Sequence, residues 1–230
     1  MRAIDWKPGA ALFDLDGTLV DTEPLFELSE VALLADWGIE LDEALIHKLY
    51  GQSALGFFRI MEAHFPDNAL FKVPLAERLA AKTRAYRQVA QGQIRVFPRM
   101  EAFARDLAAR GVPLALASSS THEIIDFELS ETGMAGLFPV RVSAADVAQG
   151  KPEPDVFIEA ARRLGADLGE CAIFEDSFLG FRAAQAAGGF VIALPAPSAD
   201  LSRFASADFL VAGGSAAFNA SLLPFPGWRL

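Results

Sequence analysis

Six short apolar runs, separated by segments with helical spacing, constrain the fold of this 230-residue chain more than any other feature. The runs lie at positions 10–13, 113–117, 140–142, 171–174, 189–194 and 208–211. Most of them are continuous rather than alternating, which is typical of strands buried on both faces of a sheet. Four helical patterns lie between the later runs, at 100–110, 121–132, 154–164 and 179–187. This order predicts an α/β fold with a Rossmann-like parallel sheet as its core.

Positions 21–92 differ from the rest of the chain because they contain no convincing strand pattern. Four stretches have helical spacing instead, at 23–36, 42–49, 54–64 and 75–90. An all-helical block directly after the first strand of an α/β chain is expected to be an inserted cap. The sequence therefore predicts a four-helix cap domain at 21–92 and an α/β core domain made of 1–20 and 93–230.

Composition excludes several classes of protein. The chain has 30 acidic and 20 basic residues, a formal charge of −10, whereas non-specific nucleic-acid binding needs clustered Lys and Arg. Cys171 is the single cysteine, which excludes an intrachain disulfide and a Cys-rich zinc site. The apolar runs are shorter than the roughly 18 residues of a spanning helix, and positions 1–9 lack the apolar stretch of a signal peptide. We expect a cytoplasmic monomer or weak homodimer that binds neither nucleic acid nor membranes.

Polar side chains follow the predicted strands at the positions where parallel sheets bind ligands. They are Asp14 and Asp16 after the first run, the serines at 118–120 after the second, Lys151 after the third, and Glu175 and Asp176 after the fourth. The carboxyl ends of parallel strands meet at one edge of the sheet. Four acids, a run of hydroxyls and one lysine are therefore predicted to lie together there.

This set of residues predicts a metal-assisted phosphate site. Neighbouring carboxylates repel one another unless a cation lies among them, and oxygen ligands without His or Cys favour a hard ion such as Mg²⁺. A lysine, hydroxyls and loop amides are suited to holding a phosphoryl group. Of Asp14 and Asp16, one can attack phosphorus while the other transfers protons, which divides hydrolysis into two steps through an aspartyl-phosphate.

Four segments of the chain resemble, in order, the four motifs of the haloacid dehalogenase superfamily of phosphohydrolases. They are 13–22, 116–120, 150–157 and 175–177. The chain is most similar to the β-phosphoglucomutase-like and sugar-phosphatase members, which carry a helical cap between the first and second motifs. The block at 21–92 lies at that place, and the resemblance extends over most of the chain.

The resemblance implies the catalytic and metal-binding roles. Asp14 would be the nucleophile and a Mg²⁺ ligand, and Asp16 would be the general acid/base with its backbone carbonyl on the metal. Asp176 would bind Mg²⁺ directly or through water. Glu175, beside it, is a second possible ligand.

The resemblance also implies how the substrate is held. Ser118 would bind the phosphate with help from the Ser119 amide, and Lys151 would bind the phosphate and tether Asp14. Gly51 and Gln52 lie where related caps present a specificity loop, so they are candidates for substrate contact.

Two departures from the family pattern narrow the function. Mutases of this group carry a His at the position of Phe26 and an Arg at the position of Ala54. That Arg would hold the second phosphate of a bisphosphate intermediate, so its absence favours simple hydrolysis over the mutase reaction. We predict a Mg²⁺-dependent phosphomonoester hydrolase that acts on a small phosphorylated metabolite such as a sugar phosphate. A β-phosphoglucomutase-like phosphosugar mutase and a non-catalytic phosphometabolite-binding protein are the open alternatives.

Overall fold

The computed structural model describes residues 7–228 and contains a six-stranded parallel sheet with the order β3-β2-β1-β4-β5-β6. The strands are β1 Ala10–Phe13, β2 Leu114–Ser118, β3 Val140–Ser143, β4 Cys171–Glu175, β5 Phe190–Ala193 and β6 Phe209–Leu210. The predicted Rossmann-like α/β fold is confirmed. Residues 1–6, from which much of the argument against a signal peptide was drawn, lie outside the described residues.

Both faces of the sheet are covered by helices, which explains the continuous apolar runs. Helices α5 Pro98–Ala109 and α6 His122–Glu131 pack on one face, and α7 Asp155–Leu164 and α8 Phe178–Ala187 pack on the other. In β1, Ala11 and Phe13 belong to the first hydrophobic cluster while Ala10 and Leu12 belong to the second. All four side chains are fully buried. Alternate residues of one strand therefore fill two different cores.

The helices between β1 and α5 pack around a hydrophobic cluster of their own. They are α1 Glu23–Ala35, α2 Glu43–Leu49, α3 Ala54–His64 and α4 Leu75–Ala90, joined by an additional 3₁₀ turn at Ala69–Lys72 that was not predicted. Leu34, Phe57, Phe58 and Met61 are central members of this cluster and are nearly inaccessible to solvent. The cluster agrees with the predicted cap. That the cap is a separate domain with boundaries at 21 and 92 is our proposal.

The segment that follows β6 packs onto the α/β core. A short helix α9, Gly214–Ala217, follows β6, and the chain then returns to the face covered by α5. Phe225 and Trp228 are buried there, and Trp228 packs edge-on against Phe103 of α5. Within residues 7–228, no helix has both the length and the apolar character needed to cross a membrane.

Candidate active site

Strands β1 and β4 bring three carboxylates together at the carboxyl edge of the sheet. Phe13 is paired with Phe174 in the parallel register, and the Asp14 backbone N–H donates to the Phe174 carbonyl at 2.9 Å. As a result, carboxylate oxygens of Asp14, Glu175 and Asp176 lie within 4.8 Å of one another. Each of these residues is at most 4% exposed. We call this group the carboxylate cluster.

Lys151 enters the carboxylate cluster from the loop before α7. Its ammonium Nζ lies 2.5 Å from Asp14 Oδ1 and 2.7 Å from Glu175 Oε2, and its side chain is 1% exposed. The other oxygen of Glu175 accepts a hydrogen bond from the Ser177 hydroxyl at 2.7 Å. Lys151 therefore joins the third sequence motif to the first and fourth.

The carboxylate cluster carries more negative charge than Lys151 balances. Burial and the neighbouring Glu175 raise the pKa of Asp14 well above its ordinary value, although Lys151 opposes this. Burial and Glu175 likewise raise the pKa of Asp176 to about 7, against the lowering effect of a hydrogen bond from Tyr50. Burial alone would lower the pKa of Lys151, but Asp14 and Glu175 hold it above the ordinary value. A buried, all-oxygen group with excess negative charge fits a hard divalent cation.

The carboxylate of Asp16 is held apart from the cluster. Thr22 donates to its Oδ1 at 2.7 Å and Ser120 donates to its Oδ2 at 2.9 Å. The turn that separates Asp16 from Asp14 depends on Gly17, which has a φ of +76° and where a Cβ would overlap the Asp176 carboxylate. The implied contact of Asp16 with a metal is through its backbone carbonyl, and this contact stays a prediction.

The serine run after β2 reaches the same edge, but its members have different surroundings. Ser118 is the last residue of β2, fully buried, and its Oγ accepts from the Ser120 backbone N–H at 3.0 Å and lies 3.5 Å from Asp16 Oδ2. Ser119 faces a cavity of about 400 Å³. The hydrogen bond from Ser120 to Asp16 was missed, because the sequence does not indicate which hydroxyl of the run points toward the acid.

The cap and the core share that cavity. From the core it is lined by Asp14, Asp16, Ser119, Ser120, Lys151 and Asp176. From the cap it is lined by Phe26, Glu30, Tyr50, Gly51, Gln52 and Lys82, among others. Asp14, Asp16, Lys151 and the two predicted cap residues, Gly51 and Gln52, therefore open onto one space.

The loop between α2 and α3 touches the carboxyl edge of the sheet directly. Gly51 has a φ of +69°, and a Cβ there would lie 2.8 Å from the Ser177 Cβ. Tyr50, immediately before it, donates its hydroxyl to Asp176 Oδ2 at 2.7 Å. The sequence interpretation missed Tyr50 because it follows an amphipathic helix and resembles an ordinary core aromatic. Burial and Asp176 raise the pKa of Tyr50, so it remains a hydrogen-bond donor.

Comparison with known proteins places these features in a family. A family model described as haloacid dehalogenase-like hydrolase matches residues 8–188. The chain is 31% identical over 202 residues to the bifunctional riboflavin kinase/FMN phosphatase of Arabidopsis thaliana. This alignment covers 87% of the present chain and 52% of the Arabidopsis protein, so the present chain spans about half the length of that relative. It is also 31% identical over 193 residues to the probable pseudouridine-5'-phosphatase of Drosophila melanogaster, covering 81% of each chain.

Solved structures agree with the sequence comparisons. The crystal structure of CbbY from Rhodobacter sphaeroides in complex with phosphate matches with a TM-score of 0.78 and 27% identity, covering 91% of this chain and 95% of that one. This chain belongs to the haloacid dehalogenase-like hydrolases.

Proposed function

We propose that this enzyme is a Mg²⁺-dependent phosphatase that hydrolyses a small phosphorylated metabolite through an aspartyl-phosphate on Asp14. The observation that carries the proposal is the pairing of two acids in different surroundings at one cavity. Asp14 is fixed by Lys151, and Asp16 is held separately by Thr22 and Ser120. Relatives named for the hydrolysis of FMN and of pseudouridine 5'-phosphate support a phosphomonoester as substrate.

In the first step, a carboxylate oxygen of Asp14 attacks phosphorus and the bond from phosphorus to the ester oxygen breaks. Asp16 gives its proton to the leaving oxygen, so that an alcohol is released. In the second step, Asp16 takes a proton from water, whose oxygen attacks phosphorus. Phosphate then leaves, and Asp14 is again a carboxylate.

Lys151 and the serine run are proposed to hold the phosphoryl group. The Lys151 ammonium offsets negative charge that develops on the phosphoryl oxygens, where its burial strengthens the interaction. Ser118 would donate its hydroxyl and Ser119 its backbone N–H to those oxygens. Gly51 and Gln52 would contact the rest of the substrate from the cap.

Asp14, Asp176 and the Asp16 carbonyl would hold Mg²⁺, and Glu175, beside Asp176, is a further possible ligand. The contacts of Glu175 with Lys151 and Ser177 favour an indirect role for it, since both of its oxygens are already engaged. When bound, Mg²⁺ would supply positive charge that offsets the phosphoryl oxygens and the excess negative charge of the cluster.

The residues at the two positions where this chain differs from the mutases favour hydrolysis over the mutase reaction. Phe26, in place of the mutase His, stacks on Tyr86 with ring centroids 4.0 Å apart and offers no proton donor. Ala54, in place of the mutase Arg, lines the cavity without a charge. A sugar phosphate is the substrate class we propose. The cytoplasmic location and the monomeric or weakly dimeric state stay predictions.

Initial rates with p-nitrophenyl phosphate and Mg²⁺ test the proposal. We expect wild-type protein to release phosphate and Asp14→Asn to lose at least about 10³-fold in kcat, because it lacks the nucleophile. Thermal unfolding of the variant is the control, since an unchanged fold assigns the loss to chemistry. Turnover by Asp14→Asn at near wild-type rates would exclude the covalent mechanism. A wild-type chain that binds sugar phosphates without releasing phosphate would instead support the non-catalytic alternative.

A further inference from the structure

The cap wall of the cavity contains a buried ion pair that the proposed mechanism does not use. Lys82 of α4 lies with its Nζ 2.5 Å from Oε1 of Glu30 on α1. The two side chains are 8% and 13% exposed, and both residues line the cavity. The pair therefore faces whatever part of the substrate extends from the phosphate toward the cap.

Two aromatic rings also lie close to the Lys82 ammonium. The Lys82 Nζ lies 4.6 Å from the Phe57 ring centroid and 5.2 Å from that of Phe26. Such contacts favour the cation but exclude water from it. Because solvent screening is reduced, Glu30 neutralises Lys82 more completely than a surface partner would.

No uncompensated cation is left on the cavity wall among residues 7–228. The other basic side chains that line the cavity are Lys151, which contacts Asp14 and Glu175, and His47, which lies 3.8 Å from Glu43. Glu27 adds a further carboxylate to the cap side, as does Glu23, whose pKa is raised well above its ordinary value by burial and by Asp176. A second phosphate on the substrate would lose its hydration and meet carboxylates instead of a free positive charge.

Uncharged hydroxyl groups suit the same pair. The ammonium of Lys82 has donors beyond the one that Glu30 accepts, and a carboxylate has acceptor positions beyond the one that Lys82 occupies. A fixed donor beside a fixed acceptor matches a hydroxyl, which both donates and accepts. The pair is also held in place by packing, so little conformational entropy is lost when a substrate binds.

We propose that Glu30 determines substrate specificity by holding Lys82 in a neutral pair that binds the hydroxyls of a polyol bearing a single phosphate and disfavours a second phosphate. This inference rests on the proposed phosphatase function. It assigns a substrate class to the cap side of the cavity, namely monophosphates of uncharged polyhydroxylated alcohols.

The test compares fructose 1-phosphate with fructose 1,6-bisphosphate and glucose 6-phosphate with glucose 1,6-bisphosphate. For each compound kcat/KM is measured with Mg²⁺, or the competitive inhibition constant against p-nitrophenyl phosphate where turnover is undetectable. We expect wild-type protein to favour the monophosphate at least about tenfold in each pair, a difference of about 1.4 kcal/mol. Equal use of both members of each pair overturns the inference.

Glu30→Gln should decrease that preference at least about tenfold, because it removes the compensating charge and leaves the Lys82 cation facing the cavity. Glu77→Gln on the exposed start of α4 is the matched control and should leave the preference unchanged. A Glu30→Gln variant with the same preference as the Glu77→Gln control contradicts the proposal.

The double variant Glu30→Gln/Lys82→Met removes both charges and guards against misfolding of the single variant, which leaves a buried lysine unpaired. It should again disfavour the bisphosphates while losing affinity for the monophosphates relative to p-nitrophenyl phosphate. A double variant that accepts bisphosphates as the single variant does would exclude the role of the freed cation. Absence of any hydrolysis, p-nitrophenyl phosphate included, would instead refute the proposed function itself.

Discussion

Two buried lysines face the cavity from opposite sides, and their partners differ in number. Lys151, on the core side, contacts two carboxylates and has the third acid of the carboxylate cluster nearby. Lys82, on the cap side, contacts one carboxylate. The core side therefore has excess negative charge that a bound cation would offset. On the cap side, the Glu30–Lys82 pair is close to neutral. We expect the number of carboxylates around each lysine to decide what that side of the cavity binds.

The origins of the two arrangements also differ. The carboxylate cluster follows from strand register, because β1 and β4 are hydrogen-bonded neighbours whose ends must coincide. The Glu30–Lys82 pair depends on how α1 packs against α4. The crossing angle of two helices is set by the packing of the side chains between them. We expect the core side to be the more rigid of the two, and variants to affect chemistry there and substrate choice on the cap side.

Removal of the metal should have the largest effect, and should act through the core side. With EDTA the carboxylate cluster keeps its unbalanced charge, so hydrolysis of p-nitrophenyl phosphate should fall to background and return when Mg²⁺ is added. Activity that persists in EDTA after dialysis would show that the excess negative charge has another purpose.

Replacing each lysine in turn compares the two sides directly. Lys151→Met should decrease kcat for p-nitrophenyl phosphate by about 10³-fold, since a buried charge next to the reacting group is lost. Lys82→Met should decrease that rate far less, because a small aryl group need not reach the cap wall. Steady-state rates with both variants at saturating Mg²⁺ give the comparison. Equal losses would mean that the two lysines have the same task.

Gly51 and Gly38 test whether the cap loop must touch the core. Both have positive φ, and alanine should cost each about 1 kcal/mol of stability from strain. Only position 51 faces the core, where a Cβ would lie 2.8 Å from Ser177, whereas position 38 has open space. Gly51→Ala should therefore lose about tenfold in kcat/KM while Gly38→Ala keeps its activity. Chemical denaturation and initial rates measure the two effects, and parallel losses of activity would contradict the interpretation.

The smallest expected effect is on the stability of the metal-free protein. Asp176→Asn removes one of three mutually repelling carboxylates, so in EDTA it should raise Tm by about 2–4 °C, the shift that about 1 kcal/mol produces in a chain of this size. It should also abolish the stabilisation that Mg²⁺ gives wild-type protein. A variant that melts lower than wild type in EDTA would show that the cluster is not electrostatically strained.

Most of the core side could be predicted from the sequence. Apolar runs locate the strands and parallel strands place their carboxyl ends at one edge, so Asp14, Glu175 and Asp176 were expected to meet. Lys151 reaches them from the loop between β3 and α7. The last run was predicted too long, because β6 at the sheet edge pairs over Phe209–Leu210 only. At that edge a strand has a partner on one side, and fewer residues need regular backbone hydrogen bonds.

The cap side could not be predicted to the same depth. Helical spacing located α1 and α4 well, but it contains no information on which side chains of two different helices meet. Glu30 and Lys82 are 52 positions apart in the chain. In the sequence alone, each resembles an ordinary charged residue on the solvent-exposed face of a helix. Tyr50 was missed for the same reason, because its partner Asp176 is 126 positions away on another element. Contacts that depend on helix packing need coordinates, whereas contacts at paired strand ends follow from strand order.

Acid trapping of the phosphorylated enzyme shows whether Asp14 is the nucleophile. Protein is mixed with ³²P-labelled p-nitrophenyl phosphate, quenched in acid within the first turnovers, and the labelled peptide is identified by mass spectrometry. Asp16→Asn should accumulate label on Asp14, because p-nitrophenolate leaves without a proton donor while attack by water lacks its base. We predict label at position 14 in that variant and none in Asp14→Asn. Label on another residue, or phosphate release by Asp14→Asn at an undiminished rate, would contradict it.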